Sequence, residues 1–461
     1  VYLDVFHKDI LAFLDLKLNN GDERLRAHDI FTGVCIPDLF MKTVEERGEW
    51  NLFCPHEVKQ IMGWKDKDGN PLGLEDFYDE EENGLFTQKY LEAVNNPLLP
   101  RVTVPAIDIM KRIMKSQLET GAPFMFYRDT VNRANPNKHI KGVGMTSIYC
   151  SNLCTEILQN LSPTIILEEK LVTEGGQTRI VTTKIPGDFV VCNLSSINLA
   201  RALAEEGILE RLIPIQVRML DNVIDINNID VLQAQYTNKR YRSIGLGTMG
   251  LHHHLALKGI RWESEEAVKY NDTLYEKINF LLIKSSMELA KEKGKYELFD
   301  GSEWSTGEYF NRRGYTSKEW QKLREEVRKY GLRNGWLFAV APNGSTSIIA
   351  GTTASIDPIY ELLAYEEKTS YKIANPVPDL NRDTRWYYKN AFTIDQHWSI
   401  RQAQARQRHI DQGQSFNIYV TPDIKAKAFL DIHLHAWKAG LKTTYYVRSR
   451  ALTIEECESC M

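Results

Sequence analysis

Four short apolar runs, residues 189–194, 336–341, 416–420 and 443–447, divide this chain into strand-like pieces without strict in–out alternation. A strand with one buried face alternates; an unbroken apolar run fits a strand covered on both faces, as in a sheet flanked by helices. Helical periodicity fills the gaps and is clearest over 262–294. There Ser264 is placed as an N-cap, Glu265 and Glu266 fall in the first turn, and Gly294 is placed as a stop. Leu274, Ile278, Leu281 and Leu282 share one face of that helix. Strands alternating with helices predict an α/β architecture. Residues 1–130 are expected to be mostly helical, with loops at 66–71 and 95–97. The polar and aromatic stretch 296–335 is expected on the surface.

With 461 residues, 43% apolar and 26% charged, the chain can bury a large core as an ordinary globular protein. A net charge of −4 without a basic stripe argues against nucleic acid as a partner. No run of about 18 apolar residues predicts a membrane span, and no leader pattern is visible. Seven cysteines without framework spacing argue against a secreted disulfide scaffold and for the reducing cytoplasm. The opening Val1-Tyr2-Leu3-Asp4-Val5-Phe6 reads as the interior of a strand. The chain is therefore expected to be the C-terminal part of a larger protein. Residues 451–461, rich in Glu with little to bury, are expected to form a flexible tail after a body spanning 1–450.

Three cysteines sit in settings that suit radical or dithiol chemistry. In Ser151-Asn152-Leu153-Cys154-Thr155-Glu156-Ile157, an extended loop would point Asn152, Cys154 and Glu156 to one side. That grouping offers an amide, a sulfur and a general base. The alternative is a buried structural cysteine beside a helix start. Cys457-x-x-Cys460 offers only two local ligands where zinc wants four, so an electron-swapping dithiol is the better reading. His252-His253-His254 diverge by about 100° each on a helix and are assigned to structure. No metal site is expected.

Pro342-Asn343-Gly344-Ser345-Thr346-Ser347 follows the apolar run 336–341 and precedes Ile348-Ile349-Ala350. Strand, Gly/Ser/Thr turn and helix start could aim N–H groups and hydroxyls at a diphosphate, or could be a plain helix cap. It is not a P-loop, since no Gly-Lys-Ser/Thr follows. Tyr445 and Tyr446 are adjacent in a predicted strand, where they would face opposite sides; stacking would require a twist from ideal geometry. Stacked phenols could pass an electron and a proton in steps, or both rings could simply be core.

Together these pieces resemble the large, catalytic subunit of class I ribonucleotide reductase, through essentially the whole chain. The Cys154 loop resembles that family's thiyl-radical loop. Val191-Cys192-Asn193-Leu194-Ser195-Ser196-Ile197-Asn198-Leu199 resembles the strand holding one of its two redox cysteines. Pro342 to Ser347 resembles its substrate-phosphate turn, and Ser355-Ile356-Asp357-Pro358 the stretch after it. Asp411-Gln412-Gly413-Gln414-Ser415 is similar to a late signature, Leu441 to Arg448 to the tyrosine-pair strand, and the tail to a terminal shuttle dithiol. The resemblance implies a ten-stranded α/β barrel with the Cys154 loop as a central finger, of which this chain carries most. It implies a thiyl radical at Cys154, proton transfer to Glu156, ribose hydroxyls held by Asn152, and a reducing thiol at Cys192. Cys457 and Cys460 would re-reduce the resulting disulfide. Tyr445 and Tyr446 would relay the radical from a separate small subunit holding the radical metallocofactor, with none bound here. The implied partners are a ribonucleotide, that small subunit, the N-terminal part of the large subunit, thioredoxin or glutaredoxin, and a second large subunit.

The resemblance has a gap. The partner of Cys192 lies, in the family, upstream of Val1, and none of Cys35, Cys54 or Cys150 sits in its expected setting. The isolated chain is therefore expected to be inactive. Rival readings are a cobalamin-dependent reductase, for which a tyrosine relay would be pointless, and an inactive binding or regulatory half-protein. A glycyl-radical enzyme is disfavoured by the missing glycyl motif.

Overall fold

A computed structural model describes residues 1–80, 84–140, 146–367 and 372–449. The first sheet orders Tyr2–Asp4, Gly33–Ile36 and Phe124–Tyr127 as parallel neighbours, with Thr443–Thr444 antiparallel on the far side of Phe124–Tyr127. Every residue of Gly33–Ile36 and Phe124–Tyr127 is buried, as a sheet covered on both faces requires. The expectation of a mostly helical 1–130 fails here, because five strands lie in it, including Glu49–Leu52 and Val102–Pro105. Three or four residues are too few for alternation to show, and the fully buried apolar runs Gly33–Ile36 and Phe124–Tyr127 read like helix interior.

A second array begins with Leu194–Asn198, parallel to Gly245–Met249. Parallel bridges then link Leu246 to Phe338 and Val340 to Gln414, so residues 336–341 take the next place. The expected strand at 189–194 starts only at its last residue. Asn193 ends the approach, its side chain donating to Leu220 O (2.9 Å) while its carbonyl accepts from Gly245 N. The strand expected over 443–447 is also divided. Thr443–Thr444 pairs with the first sheet, and Val447–Ser449 runs parallel to Ile418–Val420. Tyr445 and Tyr446 occupy the gap and escape ladder alternation.

The helix Glu265–Lys293 forms as expected, with Ser264 accepting from Ala267 N and Gly294 at its end. Its buried face carries Leu274, Ile278 and Leu282, and it packs on Ile208–Ile226 and Gln396–Gln407 outside the second array. The stretch 296–335 is not a surface segment. Trp304, Tyr309, Phe310, Tyr315 and Trp320 are buried in the same core, with Tyr315 and Trp320 stacked at 3.8 Å between centroids. Charged residues interleave with these aromatics, so mean polarity hides a buried face. A long exposed hairpin, Ile165–Glu174 with Gln177–Ile185, separates the Cys154 loop from Cys192. Among the described residues no helix is long and apolar enough to cross a membrane. The expected tail, with Cys457 and Cys460, lies outside the described residues.

Candidate active site

Residues 147–160 run between the two arrays and are tied to both. On the first side, Asn132 accepts from Ser147 N and Ile148 N and donates to Ile148 O (2.9 Å). Tyr2 and Ser151 share a hydroxyl contact of 2.5 Å, and Ile148 and Leu158 pack with Cys35, Phe126 and Val131. On the second side, Gly413 N donates to Glu156 O (2.8 Å), and Gln159 donates to Gln412 Oε1 (2.8 Å). Ser415 Oγ donates to Cys154 O (2.6 Å) and lies 3.3 Å from Glu156 Oε2. A Cβ on Gly413 would sit 2.7 Å from Thr155 O, so the approach of these two segments requires glycine.

The loop is not extended, as the sequence suggested, but turned. Thr155 N donates to Asn152 O (3.3 Å), and Asn152 Oδ1 accepts from Ile157 N (3.1 Å). Thr155 lies in the left-handed region at φ +68°, where a β-branched residue costs about 1–3 kcal/mol. Buried Thr155 is held there by Thr443 Oγ1, which donates to its carbonyl at 3.0 Å. A tight turn, rather than period-two alternation, gathers Asn152, Cys154 and Glu156.

Around the sulfur the later tyrosines close in. The Tyr445 hydroxyl donates to Cys154 Sγ at 3.6 Å. The Tyr445 and Tyr446 rings lie 4.4 Å apart at 56°, both against Phe124, and Arg448 covers Tyr446 at 4.4 Å. Asn152 Nδ2 donates to Cys192 Sγ at 3.7 Å. Asn152, Cys154, Glu156, Cys192, Tyr445 and Tyr446 are thus one constellation. Cys150, which the sequence reading discounted, lines the same cavity of about 200 Å³ as Asn152 and Cys192.

The electrostatics favour protonated sulfur. Burial pushes the Cys154 thiol up, Glu156 adds to this, and the hydrogen bond from Tyr445 opposes it. Cys192 is exposed at the cavity mouth, yet desolvation by the protein around it and then Glu156 push its thiol up to about 11. Burial also raises the Glu156 carboxyl, against hydrogen bonds from Asn152 and Ser415. Thiolate nucleophiles need lowered values. This pair keeps its S–H bonds at neutral pH, which suits hydrogen-atom and two-electron chemistry beside a carboxylate able to take a proton.

The turn 342–347 lies apart from this cavity. Gly344–Ile349 forms a short helix after 336–341; Gly344, Ser345 and Thr346 are exposed, and Ser347 Oγ donates back to Gly344 O. Asn343 N donates to Ser355 Oγ (2.6 Å). Gly344 and Ser347 line a larger cavity, about 530 Å³, with Arg201 and Asp357. The three histidines diverge as expected: His252 accepts from Ile359 N, His253 meets Thr352 and Asp379, and His254 meets Tyr270. Sequence reasoning assigned no role to Gly413, Ser415 or Thr443. The 411–415 string was the signal, but nothing local says that it grips a loop some 260 residues earlier.

Residues 1–447 match the family model for the ribonucleotide reductase barrel domain. The chain is 48% identical over 463 residues to the ribonucleoside-diphosphate reductase subunit alpha of Treponema pallidum, covering 100% of this chain and 53% of that protein. It is 39% identical over 503 residues to the protein of the same name in Helicobacter pylori (99% and 61%). It is 31% identical over 494 residues to the ribonucleoside-diphosphate reductase large chain of Neurospora crassa (98% and 48%). The chain spans about half the length of the curated relatives it matches.

Proposed function

This chain belongs to the ribonucleotide reductase barrel-domain family, and from that premise we propose that it carries the reaction centre for reducing ribonucleoside diphosphates to 2′-deoxyribonucleotides. Cys154, as a transient thiyl radical, takes the hydrogen atom from the ribose 3′ carbon and later returns one. Glu156 takes the 3′-hydroxyl proton, and Asn152 holds the ribose hydroxyls. The 2′-hydroxyl leaves as water. Two thiols supply two electrons and two protons and end as a disulfide, with Cys192 as one of them. Cys457 and Cys460 then re-reduce that disulfide by exchange, drawing on thioredoxin or glutaredoxin. Pro342, Asn343, Gly344, Ser345, Thr346 and Ser347 receive the substrate phosphates.

The radical comes through Tyr446 and Tyr445 from a separate small subunit that holds the metallocofactor. This chain's residues supply position and electrostatics. A second large subunit completes a dimer, in the cytoplasm.

The observation that carries the reading is the Tyr445 hydroxyl on Cys154 Sγ, in the same constellation as protonated Cys192 and buried Glu156. A thiol used for nucleophilic attack would want a lowered pKa, whereas burial and Glu156 raise this one. The test is product analysis with the assembled enzyme: the full large subunit, its small subunit, a dithiol reductant and a ribonucleoside diphosphate. Formation of 2′-deoxy product that Cys154→Ser abolishes, with assembly intact, is expected. Turnover that survives Cys154→Ser would overturn the reading.

A further inference from the structure

Lys442 is buried, 3% exposed, three positions before Tyr445. Its ammonium donates to three successive backbone carbonyls: Ile410 O (3.2 Å), Asp411 O (2.6 Å) and Gln412 O (2.7 Å). One ammonium carries three donors; Gln407 Nε2 also reaches Ile410 O (3.4 Å) and Gln412 O (3.1 Å), but Asp411 O takes its side-chain donor from Lys442. The same turn is fixed on its far side by Leu337 N and Phe338 N donating to the Asp411 carboxylate. Immediately after it come Gly413 and Ser415, which grip Glu156 O and Cys154 O. Immediately after Lys442 comes Thr443, which grips Thr155 O.

We infer that Lys442 is a positioning residue: it locks the 410–412 turn to the tyrosine segment, so that three grips, two from the first segment and one from the second, hold the Cys154 loop in register with Tyr445. Lys442 touches neither sulfur nor carboxylate and acts through backbone. The inference rests on the reading of Cys154 as the reacting thiol.

The role predicts a local effect. In Lys442→Met the turn keeps only the Gln407 bonds and the Cys154 loop loosens at its tip, while Cys35, held by Phe126 and Val131 outside the loop as well as by Ile148 and Leu158 at its ends, stays buried. The experiment is site-resolved alkylation of the full-length chain by iodoacetamide across a pH series, read by peptide mass spectrometry. Cys154 in Lys442→Met is expected to react about tenfold faster at fixed pH, its midpoint moving toward an ordinary thiol. Cys35 remains protected, and Lys442→Arg restores most of the protection of Cys154. In the assembled enzyme, kcat falls about 100-fold in Lys442→Met, with KM within a few-fold, as expected for a displaced reacting group. Should the Met variant fail to fold, Lys442→Gln, with two donors, takes the same test. Unchanged Cys154 reactivity, or equal exposure of Cys35, would overturn the inference. Wild-type protein whose Cys154 depends on Lys442 but which reduces no ribonucleotide would support the positioning and overturn the functional reading.

Discussion

The Tyr445 hydroxyl reaches Cys154 Sγ across 3.6 Å, although 291 residues separate the two. The contact exists because Tyr445 lies in the break between Thr443–Thr444 and Val447–Ser449, where backbone pairing passes from one partner strand to another. Removing the hydroxyl alone should leave the ring packed on Phe124. Tyr445→Phe is expected to change unfolding free energy by less than about 1 kcal/mol, since only one weak hydrogen bond is lost. Turnover should fall to background, because Phe forms no phenoxyl radical at accessible potential. Chemical denaturation and product assay together check this; a fully active variant would rule out the relay.

Glu156 is held above its ordinary value of 4.5 by burial. Its proton-accepting form therefore appears later as pH rises, and the acid limb of kcat should lie above that value. Glu156→Gln should remove the limb and lower kcat by about 10²–10⁴-fold, the usual worth of a general base. Stability has the opposite sense. The folded state keeps a proton that the unfolded chain releases, so this contribution is present at low pH and lost as pH rises through the folded value. At pH 8 the Gln variant should unfold no more easily than wild type.

Gly413 lies against the Thr155 carbonyl, and an added Cβ would come within 2.7 Å of it. Backbone cannot yield as a flexible side chain would. Gly413→Ala should cost about 1–3 kcal/mol, as overpacking does. It should also displace the Glu156 carbonyl bond. Thermal unfolding and kcat are expected to fall together, with retained activity the adverse result.

Three buried histidines set an acid limit. Burial pushes His252, His254 and His433 each down to about 4 from 6.5. Between those values the unfolded chain binds protons that the folded chain refuses, so stability is lost as pH falls through this window. Each ring contributes up to about 1.4 kcal/mol per pH unit there. Asp357, held up to about 6 by burial, and Asp129, held up to about 7 by burial and then by Asp38, work in the other direction and offset part of it. Urea midpoints from pH 4 to 7 should rise with pH; a flat profile would contradict the depressed values.

Much of the site was legible as residue identity but not as geometry. Asn152, Cys154 and Glu156 were grouped correctly by a two-residue spacing, yet the cause is a turn with Thr155 at positive φ, which spacing cannot reveal. Cys192 was placed inside a strand and lies just before one, because pairing begins at Leu194. The aromatic stretch 296–335 was misplaced because its charges lie among residues whose rings form core. Gly413, Ser415 and Lys442 escaped notice as actors because what they do depends on partners far along the chain. Local pattern reports burial and turns; it is silent on which distant backbone a donor will meet.

The grips on the Cys154 loop come from residues 411–415 and 443–445. On the ribosome the thiol emerges long before either. A nascent chain ending near residue 400 would carry the sulfur with neither its phenol neighbour nor the carbonyl holds that keep its turn. The sulfur gains its finished surroundings only when residues 443–445 are made and fold back, so until then the chain carries an ordinary, more readily modified thiol.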